Sequence, residues 1–163
     1  MADETFWNGM LMARLPEIWI ENCQETRPVD LSQLMDLAPL ALEQALRRTE
    51  SRRPGIALEM EALEVSLVSE EEIARIHDEF LDDPTPTDVI TFDHGEIIIG
   101  VEAASAEAVE RSWPLERELL LYFIHGVLHL QGLNDHLPEE QEEMRILQEE
   151  ILDLVWPLAG HCA

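Results

Sequence analysis

A chain of 163 residues with 46% hydrophobic content suits one globular domain with a good-sized core and excludes wholesale disorder. Its formal charge is -25, from 35 acidic residues against 10 basic ones, all arginine. Such a surface repels nucleic acid and anionic membrane over most of its area, and it favours solubility. The longest apolar run, Leu119 to Ile124, is too short to span a bilayer. The opening Met-Ala-Asp-Glu-Thr is acidic where a secretory signal is basic, and Cys23 and Cys162 form no Cys-x-x-Cys pattern. The expected location is therefore the cytoplasm.

Residues 1 to 15 show no clear period and read as an extension. Ile18-Trp-Ile-Glu-Asn-Cys23 alternates and predicts a first strand, broken at Arg27-Pro28. Asp30 is a good N-cap for a helix to about Arg48, which Pro39 should kink or split. Arg47, Arg48, Arg52 and Arg53 cluster at its end, either as an anion-binding group or as cations suited to a helix C-terminus. Pro54-Gly55 is a turn. From Ile56 the pattern alternates, with Leu63, Val65 and Leu67 on one face of a half-buried strand. Ser69-Glu-Glu-Glu72 is a capping box that opens a helix through Ile73, Ile76 and Phe80. Asp82 to Thr87 forms a rigid loop. Asp88 to Phe92 and Glu96 to Gly100 are short strands joined at His94-Gly95, a hairpin.

Glu102 to Ser112 predicts a weak helix, and Trp113-Pro114 resets the chain. The helix from Leu115 to about Gln131 is apolar all round, as suits an element packed in the middle of a domain. The last helix runs from Pro138 to about Trp156. Its outer face is acidic, and Met144, Ile146, Leu147, Ile151 and Leu154 supply the packed side. The expected fold class is α+β: a small mixed sheet of about four strands packed by helices, with a buried central helix, all in one domain over residues 1–163.

The chemistry concentrates in His125-Gly-Val-Leu-His129-Leu-Gln-Gly-Leu-Asn-Asp135-His136. Four residues advance a helix by about 400°, so His125 and His129 share a face. Gly132 is the residue type that ends a helix most readily, and the returning chain brings Asp135 and His136 back toward the same point. Two imidazoles and a third ligand with one open position make a catalytic metal site. A zincin protease carries glutamate after the first histidine, whereas this chain has Gly126, whose use is close approach of a neighbouring element or of substrate. A cation that offsets charge on phosphoryl oxygens suits phosphodiester hydrolysis better. His77, His94 and His161 read as structural.

The stretch Arg117-Glu-Leu-Leu-Leu-Tyr-Phe-Ile-His125-Gly-Val-Leu-His129-Leu-Gln-Gly132 with Asp135-His136 resembles the YbeY-type rRNA maturation factors, bacterial metal-dependent endoribonucleases. Pro86-Thr87-Asp88-Val89-Ile90-Thr91-Phe92 and Gly95-Glu96-Ile97 resemble that family's segment through its hairpin. The resemblance spans roughly residues 18 to 156 and implies one Zn2+ held by His125, His129 and His136, cleavage of single-stranded RNA, and rRNA and the small ribosomal subunit as partners, with no membrane and no DNA. Two departures stand out. Six residues separate His129 from His136 where the family has five, so that Asp135 occupies the usual distance. Leu81 follows Phe80 where the family carries an arginine thought to act on phosphate, and Arg117 or the 47 to 53 cluster would have to supply the charge. The alternative is a non-catalytic ribosome-assembly factor that keeps a structural zinc. A hydrolase of peptides or other small substrates rests on the histidine spacing alone.

Overall fold

Alternating apolar side chains build the sheet. The computed structural model describes residues 15–49 and 59–156. In it β1 (Glu17–Asn22) half-buries Ile18 and Ile20, and β2 (Ala62–Val68) buries Leu63, Val65 and Leu67 on one face. β3 (Val89–Phe92) and β4 (Glu96–Gly100) form the expected hairpin, with Gly95 at φ 106° in its turn. The strand order is β1-β2-β4-β3, with β1, β2 and β4 mutually parallel and β3 antiparallel to β4. β4 is buried on both faces. Ile97 and Ile99 enter the main core, while Ile98 joins Ile73, Ile76 and Ile90 in a smaller one on the far side.

Helices cover both faces. α1 (Leu31–Thr49) follows β1, with the carboxylate of Asp30 accepting from the backbone N–H groups of Ser32 and Gln33 at 3.1 and 3.3 Å. Pro39 lies inside α1 without splitting it. The carbonyl it leaves unpaired, on Met35, belongs to a residue that is 49% exposed, so the lost bond falls on the solvent side. α2 (Glu70–Leu81) is capped by Ser69, whose hydroxyl accepts from the Glu72 N–H, and packs on the far face. α3 (Val101–Arg111), α4 (Leu115–Leu130) and α5 (Pro138–Val155) join α1 on the main face. The architecture is α+β with a four-strand mixed sheet and five helices among the described residues. No helix among them is long and apolar enough to cross a membrane.

α4 is the central helix. Leu119, Leu120, Ile124, Val127 and Leu128 are at most 1% exposed. A Cβ on Gly126 would stand 2.9 Å from Ile97 Cγ2 and 3.4 Å from Thr91 Cγ2. The glycine therefore serves close packing of α4 on the hairpin, the first of its two expected uses. α5 differs from expectation in its packed face: Ile146 and Leu154 are exposed, and Leu152 and Val155 are buried beside Met144 and Ile151. The helix is rotated so that its long stripe meets both α1 and α4. Residues 1–14 of the N-terminal extension, Arg52, Arg53, the Pro54-Gly55 turn, His161 and Cys162 lie outside the described residues.

Candidate metal centre

One stripe interrupts the apolar circumference of α4. Glu118, Tyr122, His125 and His129 recur at spacings of four, three and four, which places them on one helix face. That face borders a cavity of about 540 Å³. The helix ends directly after His129. The Leu133 N–H donates to the Leu128 carbonyl at 3.0 Å, and the Gly132 N–H to the His129 carbonyl at 2.9 Å. Gly132 has φ 92°, so this is a Schellman end with its glycine in the left-handed region. The turn reverses the chain and brings Asp135 back over the two imidazoles.

The geometry at the end of α4 is a convergence of lone pairs. The Nε2 atoms of His125 and His129 are 2.9 Å apart, and Asp135 Oδ2 lies 3.5 and 3.4 Å from them. On the outer side, His129 Nδ1–H donates to the Leu133 carbonyl at 2.9 Å, an acceptor that can play no other part. His125 Nδ1–H donates to Gln148 Oε1 of α5, also at 2.9 Å. With Nδ1 protonated on both rings, each neutral imidazole turns an unprotonated Nε2 toward its neighbour and toward the carboxylate. Burial pushes His125 below its ordinary pKa, with His129 acting in the same direction, which favours the neutral ring.

Three acceptors without a proton between them suit a cation. Donors about 2.0–2.1 Å from one zinc at the tetrahedral angle stand about 3.4 Å apart, close to the spacing from Asp135 to both rings. These three residues can hold a metal ion. The donor set is two nitrogens and one oxygen, acceptable to a borderline ion such as zinc. Each imidazole is 25% exposed, so one side of the site is open.

His136 is not in this group. Its backbone N–H, like that of Leu137, donates to the Glu140 carboxylate that caps α5, and the residue is exposed. The longer loop leaves the position next to the imidazoles to Asp135, the residue at the shorter spacing. Leu81 is 59% exposed at the end of α2 and does not border the cavity. The arginines expected to supply charge are engaged elsewhere: Arg47 with Glu43 at 3.0 Å, Arg48 with Glu150 at 2.6 Å, and Arg117 with Asp153 at 3.4 Å. His77 donates to the Thr85 carbonyl at 2.8 Å and His94 faces Glu96 at 3.1 Å.

Asp88, Glu107, Arg111, Glu118 and Tyr122 line the same cavity. The Glu118 side chain is wholly buried, and neither of its oxygens nor the Tyr122 hydroxyl has a hydrogen-bond partner. Burial raises the pKa of Asp88, Glu118 and Tyr122 alike. Gln148, Glu118 and Arg111 were not legible as site residues from the motif alone. The signal for Glu118 was a carboxylate two turns before His125 within an apolar run. Gln148 and Arg111 carry no such signal, because other helices bring them in.

Residues 19–155 match the family model described as Endoribonuclease YbeY. The chain belongs to the YbeY endoribonuclease family. It is 35% identical over 103 residues to Endoribonuclease YbeY of Acholeplasma laidlawii, an alignment covering 58% of this chain and 75% of that one. With the Oceanobacillus iheyensis YbeY it shares 35% identity over 131 residues, 68% of this chain and 84% of the relative. The solution structure of a Thermotoga maritima protein superposes with a TM-score of 0.58 at 27% identity, covering 88% of this chain and 92% of that one. As a YbeY-family member the chain is a nuclease, a hydrolase acting on RNA.

Proposed function

We propose that this single-domain protein is a zinc-dependent, single-strand-specific endoribonuclease acting in small-subunit rRNA maturation and ribosome quality control in the cytoplasm. His125, His129 and Asp135 would hold the ion, with His136 outside the ligand set. The observation that carries this reading is the convergence of two Nε2 lone pairs and Oδ2, with both Nδ1 protons directed away to Leu133 and Gln148. An ion there would supply Lewis acidity toward phosphoryl oxygens and would lower the pKa of water. The chain's own residues do the rest. Leu133 and Gln148 fix the ring tautomers. The buried end of α4 restricts water to the open side.

Incubation of the purified protein with single-stranded RNA, with and without a chelator, tests the reading. Cleavage that the chelator stops and zinc restores supports it. Cleavage indifferent to chelation, or no cleavage by protein shown by elemental analysis to carry metal, argues against it. In the second case the alternative is a ribosome-assembly factor with a structural zinc, and Leu81 lying outside the cavity favours it. That alternative predicts that His129→Ala lowers thermal stability with no turnover in either form.

A further inference from the structure

The cavity beside the histidine–aspartate group is acidic, which is an obstacle for a polyanionic substrate. Asp88, Glu107, Glu118 and Asp135 all border it, and Arg111 is the one arginine among its described lining residues. Arg111 closes α3. Its Nε lies 3.8 Å from Glu107 Oε2 and 3.8 Å from Glu118 Oε2, beyond hydrogen-bond reach of either. Its Cζ stands 4.9 Å from the centre of the Trp113 ring, which gives the planar group a wall. Among the described residues no acceptor takes a hydrogen bond from it, so its terminal nitrogens keep their donors.

The contrast with the surface arginines is sharp. Arg75 and Arg145 each grip two carboxylates at 2.7 to 2.8 Å. Glu118 explains why Arg111 remains in place without such a grip. This carboxylate is wholly buried, its oxygens have no hydrogen-bond partner, and Arg111 is the cation nearest to it in ion-pair range. A buried charge of that kind holds a guanidinium above it by Coulomb attraction and leaves the donor fork open. A fork of this shape fits two oxygens of one phosphate.

We propose that Arg111 is a phosphate-binding residue of the site, contacting the RNA strand beside the metal group, with Glu118 as the positioning residue that holds it there. This rests on the endoribonuclease reading given above. The strand would then meet positive charge at two points, the metal group and Arg111, in an otherwise repulsive cavity. The rim carboxylates oppose any strand not held at both points.

The test uses the full chain, a short single-stranded RNA, and the variants Arg111→Gln, Arg111→Lys and Glu118→Gln. Binding is read by fluorescence anisotropy on metal-loaded protein with a cleavage-resistant phosphorothioate strand, and kcat and KM are read on the unmodified RNA. Arg111→Gln is expected to weaken binding about ten-fold or more. It should also reduce the slope of log K against log salt by about 0.7, the share of one phosphate on a single strand. KM should rise more than kcat falls, and metal content should be unchanged. Arg111→Lys should keep the salt slope and recover part of the affinity. Glu118→Gln should weaken binding less and keep the slope. A wild-type slope in Arg111→Gln, in protein that binds and cleaves RNA, overturns the proposal and leaves the nuclease reading standing. The same slope with a lowered melting temperature assigns Arg111 a structural role only and also overturns it. Wild-type protein that binds RNA with the Arg111-dependent slope but never cleaves it sinks the nuclease reading instead.

Discussion

Exchanging an imidazole for a carboxylate among three ligands changes the charge of the site. Two neutral imidazoles and one carboxylate carry one negative charge, so a bound divalent cation leaves a single positive charge facing substrate. Asp135 is thus a ligand candidate with consequences for Lewis acidity as well as for affinity. Asp135→Ala is expected to lose the metal on dialysis against a mild chelator, whereas His136→Ala keeps it; elemental analysis of the two variants reads the difference. Equal loss from both would return the third position to His136. Glu118 has a separate signature. Desolvation raises its pKa above the ordinary 4.5, with Glu107 and Asp88 adding and Arg111 opposing. The stability it contributes is full below that ordinary value and is lost as pH rises through the raised one. Glu118→Gln should therefore melt higher than wild type at pH 7, with the advantage vanishing as pH falls below 4.5. Melting curves across pH check the sign.

α4 does three jobs at the level of the element: it fills the core, carries the polar stripe and ends where the loop must reverse. Gly126 joins the first two, because it lets the helix lie close against Ile97 and Thr91. Gly126→Ala gains about 1 kcal/mol in helix propensity. It must also displace a β-branched side chain from 2.9 Å, and overpacking of this kind costs about 1–3 kcal/mol. The net expectation is a melting temperature lowered by about 2–4 °C for each kcal/mol of deficit. Metal affinity should fall with it if α4 shifts against the loop that carries Asp135. A variant as stable as wild type would show that Ile97 relaxes freely. α5 contributes differently, through Gln148 on His125 and Glu140 at its own start.

For the whole molecule, a charge of -25 on 163 residues means that repulsion opposes compactness, and salt screens it. Between about 0.01 M and 0.15 M salt the Debye length shrinks from about 30 Å to about 8 Å. The melting temperature should rise over that range while RNA binding weakens, two opposite trends from the same screening. Scanning calorimetry beside an RNA titration measures both, and a falling melting temperature would mean that attractive surface pairs such as Arg48–Glu150 outweigh the repulsion.

The sequence by itself determined the local features. Period-two alternation marked β2, the Ser69 and Asp30 caps marked helix starts, and Gly95 and Gly132 marked reversals, because each depends on neighbours within a few residues. The pair His125 and His129 was legible for the same reason. Only the tertiary structure decided the rest. Which of Asp135 and His136 meets the rings depends on how a loop one residue longer closes and on Glu140 taking the His136 N–H. Which side of α5 is buried depends on α1 and α4 together. Arg111 and Glu118 lie on different helices and meet only because α3 packs beside α4. Distances along the chain set the first group of features, and distances across the core set the second.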